Sequence, residues 1–396
     1  MGVRRYSRRL LRIAGSSQDG SLLRRFCVGL SLLAGVCLLL PGCTPREPIT
    51  IGFIGGTSGR VADLGIAGRD ATQLAVEQRN QAGGIAGRAV KLLIRDDEQN
   101  PVVAERALRE LIDQGIVAVV GPMTSAMAMT MVPIANQARV LLISPTVSTE
   151  ALTGKDDYFF RVGSSNLANA TQVAQYHLRQ AAGRQTPRRL VAVYDLNNRP
   201  YAETWLDGFR ATYVRGGGEI VKSIGFESGS TTSFRQLAQA LLATAADGVL
   251  IVANSVDTAL LCQQIRKSDR DIPIIAAEWA ASERLLELGG KAVDGVVVGQ
   301  NFDRGSTAPR YQAFRLAYLA RFQREPGFGG VLAYDATNVL LDALAGQQRG
   351  QSVKEAVLAI GTFAGTQAPI VFDAYGDVQR NVFITVVRDG RLLVVE

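Results

Sequence analysis

Residues 116–149, IVAVVGPMTSAMAMTMVPIANQARVLLISPTVST, constrain the fold more than any other stretch of the chain. They read as strand, small-residue turn, helix, strand, small-residue turn. Residues 117–120 are a short apolar run that stops at Gly121-Pro122, as a parallel strand buried on both faces would. Thr124 and Ser125 stand where the helix must begin, and 140–143 form a second buried strand ended by Ser144-Pro145-Thr146. Two parallel strands that finish in hydroxyl residues place those residues where open α/β sheets bind ligands. A helix N-terminus at that point offers unpaired N–H groups and a partial positive charge, both suited to a carboxylate. The stretch therefore predicts a pair of turns that grips a small anion.

The same alternation runs nearly to the end of the chain. Strands are expected at 49–54 and 90–94, with a helix at 66–80 between them that Gly83-Gly84 stops. Asn100-Pro101 supplies a cap and a first-turn proline for the helix that follows. The pattern pauses around 159–165 (FFRVGSS) and restarts. Helices are expected at 166–182, 201–215, 234–244 and 258–267, and strands at 190–194, 220–226, 249–252, 272–276 and 296–298. Helices at 311–324, 333–345 and 353–360 precede a closing β segment, in which Asp389-Gly390 is a hairpin signal between 382–387 and 392–395. At this density the alternation predicts an α/β fold of mainly parallel sheets covered by helices on both faces. A chain of 396 residues has room for two such layers with separate cores.

The net charge of +7 does not imply a nucleic-acid partner. Residues 1–42 carry seven arginines against the single acid Asp19, so 43–396 carry only +1. Arg24-Arg25 precede an apolar run of roughly 15 residues, which reads as an export signal and is short for a membrane span. The run ends in Leu40-Pro41-Gly42-Cys43, which resembles a bacterial lipoprotein box. That assigns 1–42 to a signal peptide, Cys43 to a lipidated N-terminus and 43–48 to a tether, with Sec and twin-arginine routes both open. Of the other cysteines, Cys27 and Cys37 fall in the leader, and Cys262 lies in an apolar helical run as a buried thiol. The single histidine, His177, is expected on a helix surface. One histidine excludes a histidine-based triad or a multi-histidine metal centre. The first strand's loop also lacks the G-x-G-x-x-G spacing of a dinucleotide site. No enzyme activity, cofactor or metal is expected; Asp96, Asp97 and Glu98 end a strand and do not suggest a metal set.

Nine segments in order, GFIGGTSGRVADLG, AGGIAG, DDEQNP, VVGPMTSA, LLISPTVSTEALT, FFRVGSS, AAEWAAS, FGGVLAYDAT and FDAYGD, resemble the type I periplasmic binding proteins for leucine, isoleucine and valine. The resemblance implies two α/β lobes that close by hinge motion on a ligand in the cleft between them. The first lobe would be 46–165 plus 303–360, and the second 166–302 plus 361–396. It further implies the solute-binding component of an ABC importer. Such a protein is exported, lipid-anchored at Cys43 on the membrane, most simply monomeric, and delivers a free neutral amino acid to a permease.

Carried across by position, the resemblance gives Ser125 to the ligand's α-carboxylate, and Thr146 and Ser148 to carboxylate and ammonium. Tyr201 is an aromatic wall from the opposite lobe, and Glu278 receives the α-ammonium. The side-chain pocket departs from the branched-chain binders, with Leu64 where an aromatic residue is usual and Asn254-Ser255 in the second lobe's tyrosine region. Trp279 is a candidate wall. The alternatives are the same fold binding amides, urea or aromatic acids, or serving as a ligand sensor.

Overall fold

The computed structural model describes residues 46–181 and 188–396. The signal peptide, Cys43 and the first half of the tether lie outside the described residues. Among the described residues no helix is long and apolar enough to cross a membrane.

The first sheet is built from β1 (Ile49–Gly55), β2 (Val90–Asp96), β3 (Ala118–Val120), β4 (Leu141–Ser144) and β5 (Phe159–Arg161). All its pairings are parallel, in the order β2-β1-β3-β4-β5. β3 and β4 are buried throughout, as continuous apolar runs require when helices cover both faces. Helices α1 (Ala62–Gln81), α2 (Pro101–Asp113) and α3 (Ser125–Ala138) are the crossovers. The chain then passes to α4 (Asn166–Ala181) and to the second sheet, through β6 (Arg189–Asp195), α5 (Arg199–Arg215), β7 (Glu219–Phe226) and α6 (Phe234–Leu242). It continues with β8 (Gly248–Val252), α7 (Ser255–Ser268), β9 (Ile274–Ala276), α8 (Glu283–Gly289) and β10 (Val297–Gln300). Helices α9 (Pro309–Phe322), α10 (Gly327–Gly346) and α11 (Val353–Ile360) follow. The short pair β11 (Thr362–Phe363) and β12 (Ile370–Val371) comes next, and the hairpin β13 (Phe383–Arg388) with β14 (Arg391–Val394) closes the chain.

The second sheet has the order β14-β13-β10-β9-β8-β6-β7. Its segment β7-β6-β8-β9-β10 repeats the connectivity of the first sheet, and β13 and β14 extend its edge antiparallel. Each sheet thus reverses strand order once, at β1/β3 and at β6/β8, the switch points where doubly wound sheets open a crevice at their carboxyl ends.

Most predicted elements differ from the observed ones only by end residues. Two elements and one side chain depart further. Phe159–Arg161 is strand β5, not a pause, because Phe159 and Phe160 are buried and pair with β4. Helix α10 begins at Gly327, not near 333, and carries Phe328-Gly329-Gly330 in its first turn. Those glycines let it lie against α1, where a Cβ on Gly329 would meet Leu64 at 2.7 Å. His177 is half-buried, not a surface residue; burial holds its imidazole down at about 4, and it meets Tyr176 edge-on. Met123, Met127 and Met131 are core residues, whereas Met129 is 40% exposed. Cys262 is buried and unpaired, its thiol pushed up to about 12 by burial.

Candidate functional site

The carboxyl ends of both sheets face one another across a hollow. After β3 the chain turns through Gly121, held at φ +121° with its α-carbon so close to β1 that a Cβ would meet the Ile54 carbonyl oxygen at 2.2 Å. Only glycine fits there. The turn delivers Thr124 as N-cap of α3, yet the Thr124 side chain does not cap; its hydroxyl donates to Gln99 Oε1 at 3.0 Å. The first turn of α3 is therefore free to serve other acceptors, and Ala126 N–H is taken by Asn198 Oδ1 from the other lobe at 2.9 Å. Ser125, at the head of the helix, is 1% exposed, and its hydroxyl has no protein partner.

The turn after β4 is pinned from below. Ser144 donates to Pro122 O at 2.8 Å and accepts from Val147 N–H at 3.0 Å. Thr146 donates its hydroxyl to Met123 O at 2.5 Å, so that oxygen can still accept but has no proton left for a ligand carboxylate. Ser148 sits beside it, its carbonyl accepting from Asn166 N–H at 2.7 Å. Two hollows adjoin here and share Thr146, Ser148, Glu278 and Phe328 as walls. The smaller adds Leu64, Met123, Thr124, Ser125, Asn198, Tyr201 and Trp279. The larger adds Pro145, Gly163, Ser164, Gln300, Asn301 and Leu332.

Glu278 comes from the turn after β9, on the second sheet. Burial drives its carboxyl up to about 7, against hydrogen bonds from its own backbone, Trp205 and Tyr201 that favour the charge. Trp205 Nε1 donates to Glu278 Oε2 at 2.6 Å and is itself fully buried. The Tyr201 hydroxyl accepts from Trp279 N–H at 3.4 Å, and burial followed by the Glu278 charge raises its pKa well above the usual phenol value. Tyr201 and Trp279 meet edge-on with ring centroids 5.5 Å apart. No lysine, arginine or histidine lines either hollow, so among the described residues Glu278 faces no cation.

The lobes are held together around this hollow. Arg60, just before α1, donates to Asp257 Oδ1 at 2.9 Å and to Gly229 O at 2.6 Å. Asp63 accepts from the Ser255 and Ser282 hydroxyls, each at 2.6 Å.

Of the residues expected at the site, Leu64, Ser125, Thr146, Ser148, Tyr201, Glu278 and Trp279 come together at this hollow. Asn254 is not among its walls. It caps α7, accepting from Asp257 N–H at 2.9 Å and donating to Asp257 Oδ2 at 2.8 Å, which is what an asparagine before a helix does. Sequence reasoning missed Asn198, Trp205, Phe328, Gln300 and Asn301. Gln300-Asn301 at the end of a buried strand carried the same signal as Ser144 and could have been found by it. Asp97, by contrast, is buried away from the hollow and pushed up to about 6 by that burial.

Two mainly parallel sheets with their carboxyl ends facing across a shared hollow define a two-lobe solute-binding fold. Comparison with known proteins agrees. Residues 48–391 match the family model described as periplasmic binding protein. A leucine-, isoleucine-, valine-, threonine- and alanine-binding protein of Pseudomonas aeruginosa is 24% identical over 339 residues, 84% of this chain and 88% of that protein. The branched-chain amino acid transporter substrate-binding protein of Streptococcus pneumoniae, solved with isoleucine, superposes with a TM-score of 0.80 at 25% identity, covering 88% of this chain and 99% of that one. An ABC-transporter solute-binding protein of R. palustris, solved with benzoate, shares the fold with a TM-score of 0.79 at 21% identity, over 88% and 95% of the two chains. The chain belongs to the periplasmic binding protein family, in the type I branch that holds the Leu/Ile/Val-binding proteins. All three relatives are binding proteins for small solutes, and the R. palustris one serves an ABC transporter.

Proposed function

We propose that this chain is the extracytoplasmic solute-binding component of an ABC importer and captures a free amino acid between its lobes. In this reading the lobes are 46–165 plus 303–360 and 166–302 plus 361–396. The α-carboxylate lies at the head of α3, taking the Ser125 hydroxyl, free first-turn N–H groups, and the backbone of Thr146 and Ser148. The α-ammonium lies against Glu278, while Tyr201, Trp279, Phe328 and Leu64 exclude water around it. Charge-assisted hydrogen bonds of this kind contribute about 1.5–3 kcal/mol each. Closure would bring the two sets of groups together, and the bonds of Arg60 and Asp63 would hold the closed form. Cys43 would carry the lipid that keeps the protein at the membrane, where it hands the ligand to its permease.

The observation that carries the reading is one pairing. A half-buried carboxyl that its surroundings desolvate, with no cation beside it among the described residues, and a buried hydroxyl with no partner border the same hollow from opposite lobes. A zwitterion satisfies both, and a ligand without an amine leaves Glu278 unpaired. Calorimetric titration tests this with alanine, leucine and glutamine against propionate, benzoate and urea. Binding confined to the amino acids supports the reading. Benzoate, propionate or urea binding as tightly as every amino acid would overturn it.

A further inference from the structure

The larger part of the hollow ends in two buried acceptors that the headgroup does not use. Gln300 closes β10 and is 1% exposed. Its Nε2 donates to Thr385 Oγ1 at 2.9 Å, and that hydroxyl spends its proton on Val298 O at 2.8 Å. Thr385 can therefore only accept from Gln300, which fixes the amide: the NH2 faces Thr385, and Oε1 is the free end. Gln300 Oε1 is buried with no partner, and so is the neighbouring Asn301 Oδ1. Both residues line the larger hollow, and neither lines the part that contains Ser125. Native proteins rarely leave such acceptors unmet unless something outside the chain meets them.

Resting on the amino-acid reading above, we propose that the ligand's side chain ends in a neutral group bearing N–H donors, a carboxamide above all. One NH2 offers two donors and meets both acceptors at once, which a hydroxyl cannot do. Pro145, Leu332 and Phe328 form the apolar sleeve through which a methylene stem passes. A carboxylate side chain is excluded, since no lysine, arginine or histidine lines the hollow and Glu278 is already there. A cationic side chain would lie against two amide oxygens with no second acid to neutralise it. A leucine or methionine side chain would press methyl groups onto two unmet acceptors. Sites built to hydrogen-bond a ligand group reject the analogue that lacks it.

The test is a calorimetric panel of glutamine, asparagine, leucine, methionine, glutamate and lysine on the wild-type protein, Gln300→Leu and Asn301→Leu. In the wild type, glutamine or asparagine should bind at least about tenfold tighter than the other four. Gln300→Leu should reduce the preference for the carboxamide over leucine by about tenfold. Asn301→Leu, at a half-buried position that tolerates change, should reduce it in the same direction and guards against a folding defect in the first variant. Leucine, methionine, glutamate or lysine equalling the better carboxamide in the wild type would overturn this inference and leave the headgroup reading standing. Failure of all six amino acids to bind would overturn the headgroup reading and this inference with it.

Discussion

Lowering the pH should turn ligand capture into a proton-releasing reaction. Burial holds Glu278 up to about 7 in the ligand-free protein. At pH 6 about nine molecules in ten therefore carry the proton there, against about one in ten at pH 8. An ammonium beside the carboxyl stabilises only its ionised form, so the pKa of the complex falls well below that of the free protein. Each binding event should then expel about 0.9 proton at pH 6 and about 0.1 at pH 8, and the Kd should weaken about tenfold between pH 8 and 6. The sign for folding follows from the same shift. Because the folded-state pKa lies above the ordinary 4.5, ligand-free stability falls as pH rises from about 4.5 to about 7, by on the order of 3 kcal/mol from this group. Asp97 and Asp195, both raised to about 6 by burial, lie outside the hollow and contribute equally to free and bound forms. The assay is calorimetry at pH 6 and 8 in buffers of differing ionisation enthalpy. Buffer-independent heats at pH 6, with equal Kd at the two pH values, would refute the assignment of Glu278 to the ammonium.

Three substitutions separate the other parts of the account. Ser125→Ala should weaken amino-acid binding about tenfold to a hundredfold by removing a donor to the carboxylate; as the Ser125 hydroxyl has no protein partner, ligand-free Tm should not fall. Arg60→Ala removes the bonds to Asp257 and Gly229, so the closed form should be less populated. Affinity should drop by about five- to tenfold, and the radius of gyration of the ligand-free protein in X-ray scattering should rise. Asp97→Asn should leave Kd unchanged and raise Tm at pH 7, because a buried carboxyl that ionises at about 6 opposes folding there. A Tm that drops instead would assign Asp97 a structural role as an anion.

The layered architecture was legible because strands buried on both faces and their crossover helices leave period and punctuation in the sequence. Gly121-Pro122, Asn100-Pro101 and Asp389-Gly390 each marked an element boundary that the structure keeps. Phe159-Phe160-Arg161 was not legible, since three residues are too few to display a period and only pairing with β4 makes them a strand. The start of α10 was hidden because glycines normally stop helices, whereas here close packing against α1 outweighs their low propensity. At the candidate site, Ser125 and Glu278 were accessible through the family resemblance, as was the backbone of Thr146, whose hydroxyl donates to Met123 O. Asn254 was misplaced because helix capping and ligand binding favour the same residue type in the same position. Trp205 could not have been read as a partner of Glu278, as the two are 73 residues apart and meet only through the fold.

The most direct test is the Kd of one amino acid for the wild type and for Glu278→Gln, measured at pH 8 where the wild-type carboxyl is ionised. Removing the acid from a buried ion pair costs about 3–5 kcal/mol, so affinity should fall by a factor of hundreds or more. An unchanged Kd would contradict the claim that the two lobes close on an ammonium at one end and a carboxylate at the other.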